Sequence, residues 1–328
     1  MPGRLRCVIS NYGARILELH LPDRDGNLAD IVLGFDRLED YLLDSKSFFG
    51  ACVGRVANRI SHAAFHINGE RYDLPANEGP HHLHGGPGGF HQALWQCAGH
   101  SPRQLSLRMV SPDGDQGYPG RMEVQVDYSL TEEGDLRMDY EASSDRPCPV
   151  NLTNHSYFNL DGQGAACIAD HVLEMQASHY CPIQADFIPT GEVLPVDGGP
   201  FDFRLPAVLK SRLSLEHPQL ALARGFDHHC IVAGEGMRAF AKMYSPHSGR
   251  SLEVWSDAHG MQFYSGNFLD GTIKGKGESY YGFRSAFCFE TQGYPNAVNT
   301  PSFPMQIAGP GQPYRSSTVF KFAHEPAS

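Results

Sequence analysis

Positive charge is scarce in this chain. Lys and Arg number 26 against 37 Asp and Glu, which leaves a formal net charge of −11. Phosphate backbones are bound by clustered Lys and Arg, and no basic run occurs, so nucleic acid is not an expected partner. Long apolar runs are missing as well. None approaches the roughly 20 residues that span a bilayer, and no membrane association is expected. The opening MPGRLRCVISNYG has no apolar segment of the kind that directs secretion. Cysteine is present but unorganised: the 8 Cys, at 7, 52, 97, 148, 167, 181, 230 and 288, form no CxxC pair. Scattered thiols argue against a disulfide scaffold or a zinc site and for a reduced, cytoplasmic protein. Motifs of phosphate and acyl transfer are also absent. Gly85-Gly86-Pro87-Gly88-Gly89 lacks a following Lys-Ser/Thr, the segment from Gly271 to Lys276 lacks Walker spacing, and no G-x-S-x-G elbow exists.

What is there reads as a folded β protein. Hydrophobic residues make up 41% and charged residues 19%, outside the disordered class. The 35 Gly and 23 Pro are spread evenly, so they punctuate turns and mark no linker. Residues 1–328 are therefore read as a single domain. Alternating side chains on a strand face opposite ways. Residues 121–130 place Met122, Val124, Val126, Tyr128 and Leu130 on one face. After TEEGD, residues 136–142 repeat the pattern and complete a hairpin. Residues 63–74 form another, turning at Asn68-Gly69. Residues 104–110, 171–177, 251–256 and 318–322 are further strands. Helical signals are few. A short helix with an acidic cap is expected from Asp36, and another turn or two over 211–220, ended by Pro218. Without helices between the strands, parallel βαβ units are excluded. The expected fold class is all-β, a large antiparallel sandwich with few short helices.

Polar clusters interrupt the strands in five places. They are Gly54–Ile60, Asn77–Gly86, Asn151–Leu160, Gly225–His229 and Phe289–Pro295. Each has an ordinary reading by itself. Arg55 and Arg59, four apart, suit an exposed face. His81, His82 and His84 are candidate ligands, since His-x-His on a strand points two imidazoles the same way, but a metal site needs three or four ligands, and no carboxylate follows at a familiar spacing. Glu290, in the apolar run Ala286-Phe287-Cys288-Phe289, is either an ion-pair partner or a base of raised pKa.

The clusters together carry more than any one. GRVANRI at 54–60, HLHGG at 82–86, VNLTNHSYFNL at 150–160, GFDHH at 225–229, MQFYSGNFLDG at 261–271 and FCFETQGYPNAVN at 287–299 resemble, in order and along nearly the whole chain, the aldose 1-epimerases. PFDFR at 200–204 is a weaker seventh match. The resemblance implies a galactose mutarotase-like supersandwich that interconverts the anomers of a free aldose. It implies a catalytic base at Glu290 and a catalytic acid at His155. It implies sugar-binding positions at Asn58, Arg59, His84, Tyr157, Asp227 and Gln262. The departures are small: Gly79-Pro80-His81 precedes HLHGG, and His228-His229 follows Asp227.

The chemistry follows from the residue types. Opening a hemiacetal needs one group to take the C1 hydroxyl proton and another to protonate the ring oxygen. The aromatic neighbours Phe287 and Phe289 are expected to raise the pKa of Glu290, and His titrates near neutral pH. No redox change occurs, so no cofactor and no metal are expected. The partner is a small-molecule aldose, and the chain is a monomer or homodimer. Tyr157 or Phe158 lies either against the sugar's apolar face or in the core. Three rivals are a glycoside hydrolase using Asp227 and Glu290, a non-catalytic sugar sensor, and a mutarotase for a phosphorylated hexose. The last would want surplus Lys or Arg.

Overall fold

The computed structural model describes residues 5–44 and 46–324. The alternation at 121–130 and 136–142 builds Met122–Leu130 paired antiparallel with Leu136–Ser144, Val126 facing Tyr140. Met122, Val124, Val126 and Tyr128 are all buried. The hairpin Ala64–Ile67 and Glu70–Asp73 turns through Asn68 and Gly69, at φ 52° and 82°, the left-handed pair that a type I′ turn requires.

These strands join a nine-stranded sheet. Its spatial order is Ala207–Val208, Val172–Met175, Arg238–Tyr244, Arg250–Ser256, Tyr314–His324, Leu136–Ser144, Met122–Leu130, Gln104–Ser111 and Gln96–Ser101. A six-stranded sheet lies over it, in the order Tyr157–Phe158, Phe287–Gln292, Gly260–Tyr264, Asp227–Ile231, His179–Tyr180 and Leu194–Pro195. Neighbouring strands in both sheets run antiparallel. Phe158 meets Phe320 edge-on at 5.3 Å across the two layers. The hydroxyls of Thr291 and Thr318, 2.5 Å apart, join them by a hydrogen bond. The core between the layers is continuous from Val124 and Val254 to Phe263, Phe287 and Phe289. The fold is all-β, as its strand pattern requires.

The helices depart from expectation. The first, Leu38–Leu43, starts after Arg37 with no side-chain cap, because Asp36 is used elsewhere: its Oδ2 accepts from the Gly277 amide at 2.8 Å. The 211–220 region divides into Leu209–Leu213 and Pro218–Ala223. Pro218 begins the second helix rather than ending the first. A first-turn residue has no amide to satisfy, so proline's missing N–H costs nothing there.

Arg55 also differs from its expected exposed position. It is 2% exposed. Its guanidinium donates to Ser111 Oγ, Ser111 O, Pro112 O and Pro119 O at 2.8–3.0 Å, pinning the 111–119 turn. Arg55→Leu would leave these acceptors unpaired in the interior. We expect a destabilisation of about 3 kcal/mol in urea unfolding. An unchanged midpoint would show that the turn does not depend on Arg55.

Candidate active site

The six-stranded sheet turns one face to the core and the other to a polar pocket. Pleating sorts its side chains. On Phe287–Gln292, Phe287 and Phe289 enter the core, while Cys288, Glu290 and Gln292 face away from it. Register then lines up the neighbours. Gln262 stands opposite Glu290, and His229 opposite Gln262. Asp227, Tyr264, Cys288 and Tyr157 form the adjacent row. Gln262 Nε2 donates to Asp227 Oδ1 at 2.7 Å.

The rest of the predicted set, Asn58, Arg59, His84 and His155, comes from connections and two-residue strands outside this sheet. Arg59 is on the two-residue strand Arg59–Ile60, paired with His82–Leu83. That pairing stops before His84, which sits at φ 52°. The three histidines therefore diverge instead of pointing together. His82 Nε2 and Nδ1 meet the Tyr118 hydroxyl and the Pro75 carbonyl, and His81 Nδ1 accepts from the His62 amide. His84 Nδ1 accepts from the Asn58 amide at 3.1 Å, and the His84 amide donates to the Asn58 carbonyl at 3.0 Å. Asn58, at φ 63°, uses its side-chain oxygen to accept from the Arg59 amide. Asn accommodates this left-handed turn because its side chain bonds locally.

His155 is fixed by its backbone, donating to Ala51 O and accepting from the Gly50 amide. Its ring lies near-parallel to Phe48 at 5.7 Å and to Tyr157 at 5.1 Å, with the His84 ring edge-on at 5.1 Å. His155 Nε2 is 3.6 Å from Glu290 Oε1. Arg59 donates from Nε and Nη2 to both oxygens of Glu78, at 2.5 and 2.8 Å. Thus Asn58, Arg59, His84, His155, Tyr157, Asp227, Gln262 and Glu290 form one polar cluster at this face of the sheet.

Burial governs the site's electrostatics. It raises the Glu290 carboxyl well above its usual range, with the Asp227 charge adding to the effect and Arg59 opposing it. Phe287 and Phe289, its neighbours in sequence, face the other side of the strand. Burial lowers the His155 imidazole to about 4. Asp227 is raised by burial, against the pull of Arg59 and the Gln262 hydrogen bond. Glu290 Oε2 and Gln262 Oε1 have no hydrogen-bond partner among the described residues. Unpaired buried acceptors suit a hydroxyl-rich ligand.

His84, His155 and Glu290 bring ligand atoms within 4.8 Å of one another, close enough for a cation. The donor set fits a cation poorly. The Asn58 amide donates to His84 Nδ1, which puts the ring proton on Nε2. The nitrogen left for the pocket is then a donor, not a metal ligand.

The buried imidazoles also set an acid limit on stability. Burial lowers His82 to about 4 and His91, His228 and His229 to about 3. Each is depressed in the fold, so the unfolded chain takes up more protons as pH falls through the ordinary His value of about 6.5. Each contributes up to about 1.4 kcal/mol of lost stability per pH unit below that value. We expect Tm to fall steeply from about pH 6.5 to 5. Turnover of the folded protein at 25 °C should itself fall as the pH drops, because the raised Glu290 carboxyl takes up a proton at higher pH than an ordinary carboxylate and then cannot accept the C1 proton. A Tm independent of pH there would contradict this reading.

Sequence reasoning left out several neighbours of the pocket. Glu78 stood in a quoted cluster, and only the fold shows it gripping Arg59. Cys288, whose Sγ is 3.7 Å from His155 Nδ1, also stood in a quoted motif without a role, and Phe48 carried no sequence signal. All eight cysteines are free.

Comparison with known proteins identifies the family and the fold. The family described as aldose 1-epimerase matches residues 2–321. The galactose mutarotase of Bos taurus is 46% identical over 325 residues, covering 98% of this chain and 92% of that one. The aldose 1-epimerase of Escherichia coli (strain K12) is 35% identical, covering 97% and 92%. Among solved structures, an aldose epimerase homologue from C. elegans superposes with a TM-score of 0.91 at 32% identity, covering 98% of this chain and 96% of that one. Sequence and fold agree, and the chain belongs to the aldose 1-epimerase family.

Proposed function

We propose that this pocket opens and recloses the hemiacetal of a free aldose such as galactose or glucose, with Glu290 as base and His155 as acid. The observation that carries the assignment is the 3.6 Å approach of His155 Nε2 to Glu290 Oε1, both side chains buried. The two oxygens that exchange protons share one carbon, so their partners must stand close together. Glu290 takes the C1 hydroxyl proton while His155 protonates the ring oxygen. C1 then turns about the C1–C2 bond, and the two groups exchange roles for closure. Burial assists both transfers. It makes the carboxylate a stronger base and the imidazolium a stronger acid, and the pair is neutral once the ring is open.

Arg59, His84, Asp227 and Gln262 are assigned to the sugar hydroxyls and ring oxygen, with Asn58 holding His84 and Tyr157 stacked on His155. Charge-assisted hydrogen bonds donated by Arg59 and accepted by Asp227 are the strong ones. The residues assigned to the site lie in one chain, and one core runs through both sheets, so a single domain and a monomer are sufficient; a homodimer is also compatible. A cytoplasmic setting suits the eight free thiols. No helix among the described residues is long and apolar enough to cross a membrane.

Polarimetry of freshly dissolved α-sugars tests the reading, run over galactose, glucose, xylose and arabinose. We expect accelerated anomer exchange for at least one of them. An intact glycoside should release no free sugar; release would favour a hydrolase built on Asp227 and Glu290.

A further inference from the structure

The pocket has an aromatic lip. From His155 the rings continue through Tyr157 to Tyr264 at 5.9 Å, then to Phe268 at 6.1 Å, then to Phe187 at 5.6 Å. Phe187 closes the circuit, because the Arg59 guanidinium lies 4.9 Å from its ring centroid. The Phe268 amide donates to the Tyr264 hydroxyl at 2.9 Å, which fixes that side of the lip.

Phe187 is held in an unfavourable backbone conformation. Its φ is 65°, in the left-handed region that a large side chain rarely adopts. The surrounding turn over-determines it. The Phe187 amide donates to Gln184 O, the Gln184 amide to Ile188 O, and the Thr190 amide to Pro182 O. Gln219 clamps Ile183 by two hydrogen bonds, to its amide and its carbonyl. On the other side, Asp186 Oδ2 is 3.2 Å from His81 Nε2, beside the strand that leads to His84. Local strain of this kind is retained where the surroundings require it.

Glu78 takes the N–H of Arg59 Nε and one N–H of Nη2, so both N–H of Nη1 and the second of Nη2 are left to meet a ligand. Resting on the proposed function, we infer that Phe187 is a substrate-positioning residue: it roofs Arg59 and, with Phe268, forms the apolar lip against which the C–H face of the pyranose lies. The roof keeps water from the guanidinium face and holds its plane, which strengthens the remaining N–H donors toward a sugar hydroxyl. The contact is the same in the closed-ring and open-chain states, so it contributes to binding and not to the chemical step.

The test compares Phe187→Ala, Phe187→Gly and Phe187→Tyr with the wild-type chain, using D-galactose as probe. Anomer exchange gives kcat and KM, and calorimetric titration gives Kd. For Phe187→Ala we expect KM and Kd to rise about tenfold, with kcat within about threefold of wild type. Phe187→Tyr keeps the ring and should stay within about twofold in both. Phe187→Gly should match Ala in KM and be at least as stable, since Gly tolerates the left-handed backbone. If the Ala variant does not fold, Gly and Tyr carry the same comparison. KM and Kd of the Ala or Gly variant within twofold of wild type would overturn the inference, as would a fall in kcat with KM unchanged. A wild-type chain that fails to accelerate anomer exchange of any aldose overturns the functional reading instead.

Discussion

Glu290→Gln is expected to lower kcat by about 10³-fold, within the range of about 10²–10⁴ typical for a positioned general base. Gln matches Glu in volume and keeps a polar terminus beside Gln262, its cross-strand neighbour. It cannot take the C1 proton. The fold should not suffer. Glu290 Oε2 has no hydrogen-bond partner among the described residues, and Oε1 stands 3.6 Å from His155, beyond a hydrogen bond. Burial disfavours the ionised carboxylate. An uncharged replacement therefore removes a desolvation penalty, and Tm should hold or rise by a few degrees. This combination separates a functional carboxylate from a structural one, because losing a structural ion pair lowers Tm. Polarimetry and calorimetry on the same sample decide it. Residual turnover within tenfold of wild type would remove Glu290 from the base role.

His155→Gln should cost about 10²–10³-fold in kcat. The ring is held by Phe48, Tyr157 and His84 and by its own backbone bonds, and the substitution leaves those backbone bonds in place. The telling variant is the double mutant. A base and an acid that act in one step are worth little without each other, so their losses do not add. We expect Glu290→Gln/His155→Gln to be no more than about tenfold slower than the slower single variant. Full additivity would mean that the two groups act in separate steps, and the paired mechanism would fail.

The hairpins were readable from the sequence because period-two alternation and an Asn-Gly turn are local signals. Met122 and Val124, and the turn at Asn68, are where that pattern puts them. Pro218 was misread because a proline ends one helix or begins the next with equal ease, and the choice depended on where His217 lay. Arg55 and Arg59 illustrate the same limit. Four apart in one motif, one pins a turn from the interior and the other grips Glu78 at the pocket. Their spacing says nothing about which carbonyls or carboxylates arrive from elsewhere in the chain. Phe187 had no signal at all, since its position over Arg59 depends on a clamp from Gln219.

The sequence by itself determined the strand class, the scarcity of basic residues, and the ordered motifs that contain Glu290, His155 and the residues proposed to bind sugar. All of these rest on residue type and short-range spacing. Only the tertiary structure decided that Phe287 and Phe289 belong to the core while Glu290 faces the pocket, that His82 and His84 part company, and that an aromatic lip closes over Arg59. Those outcomes come from strand register and loop anchoring between segments up to hundreds of residues apart, and no local pattern encodes such pairings.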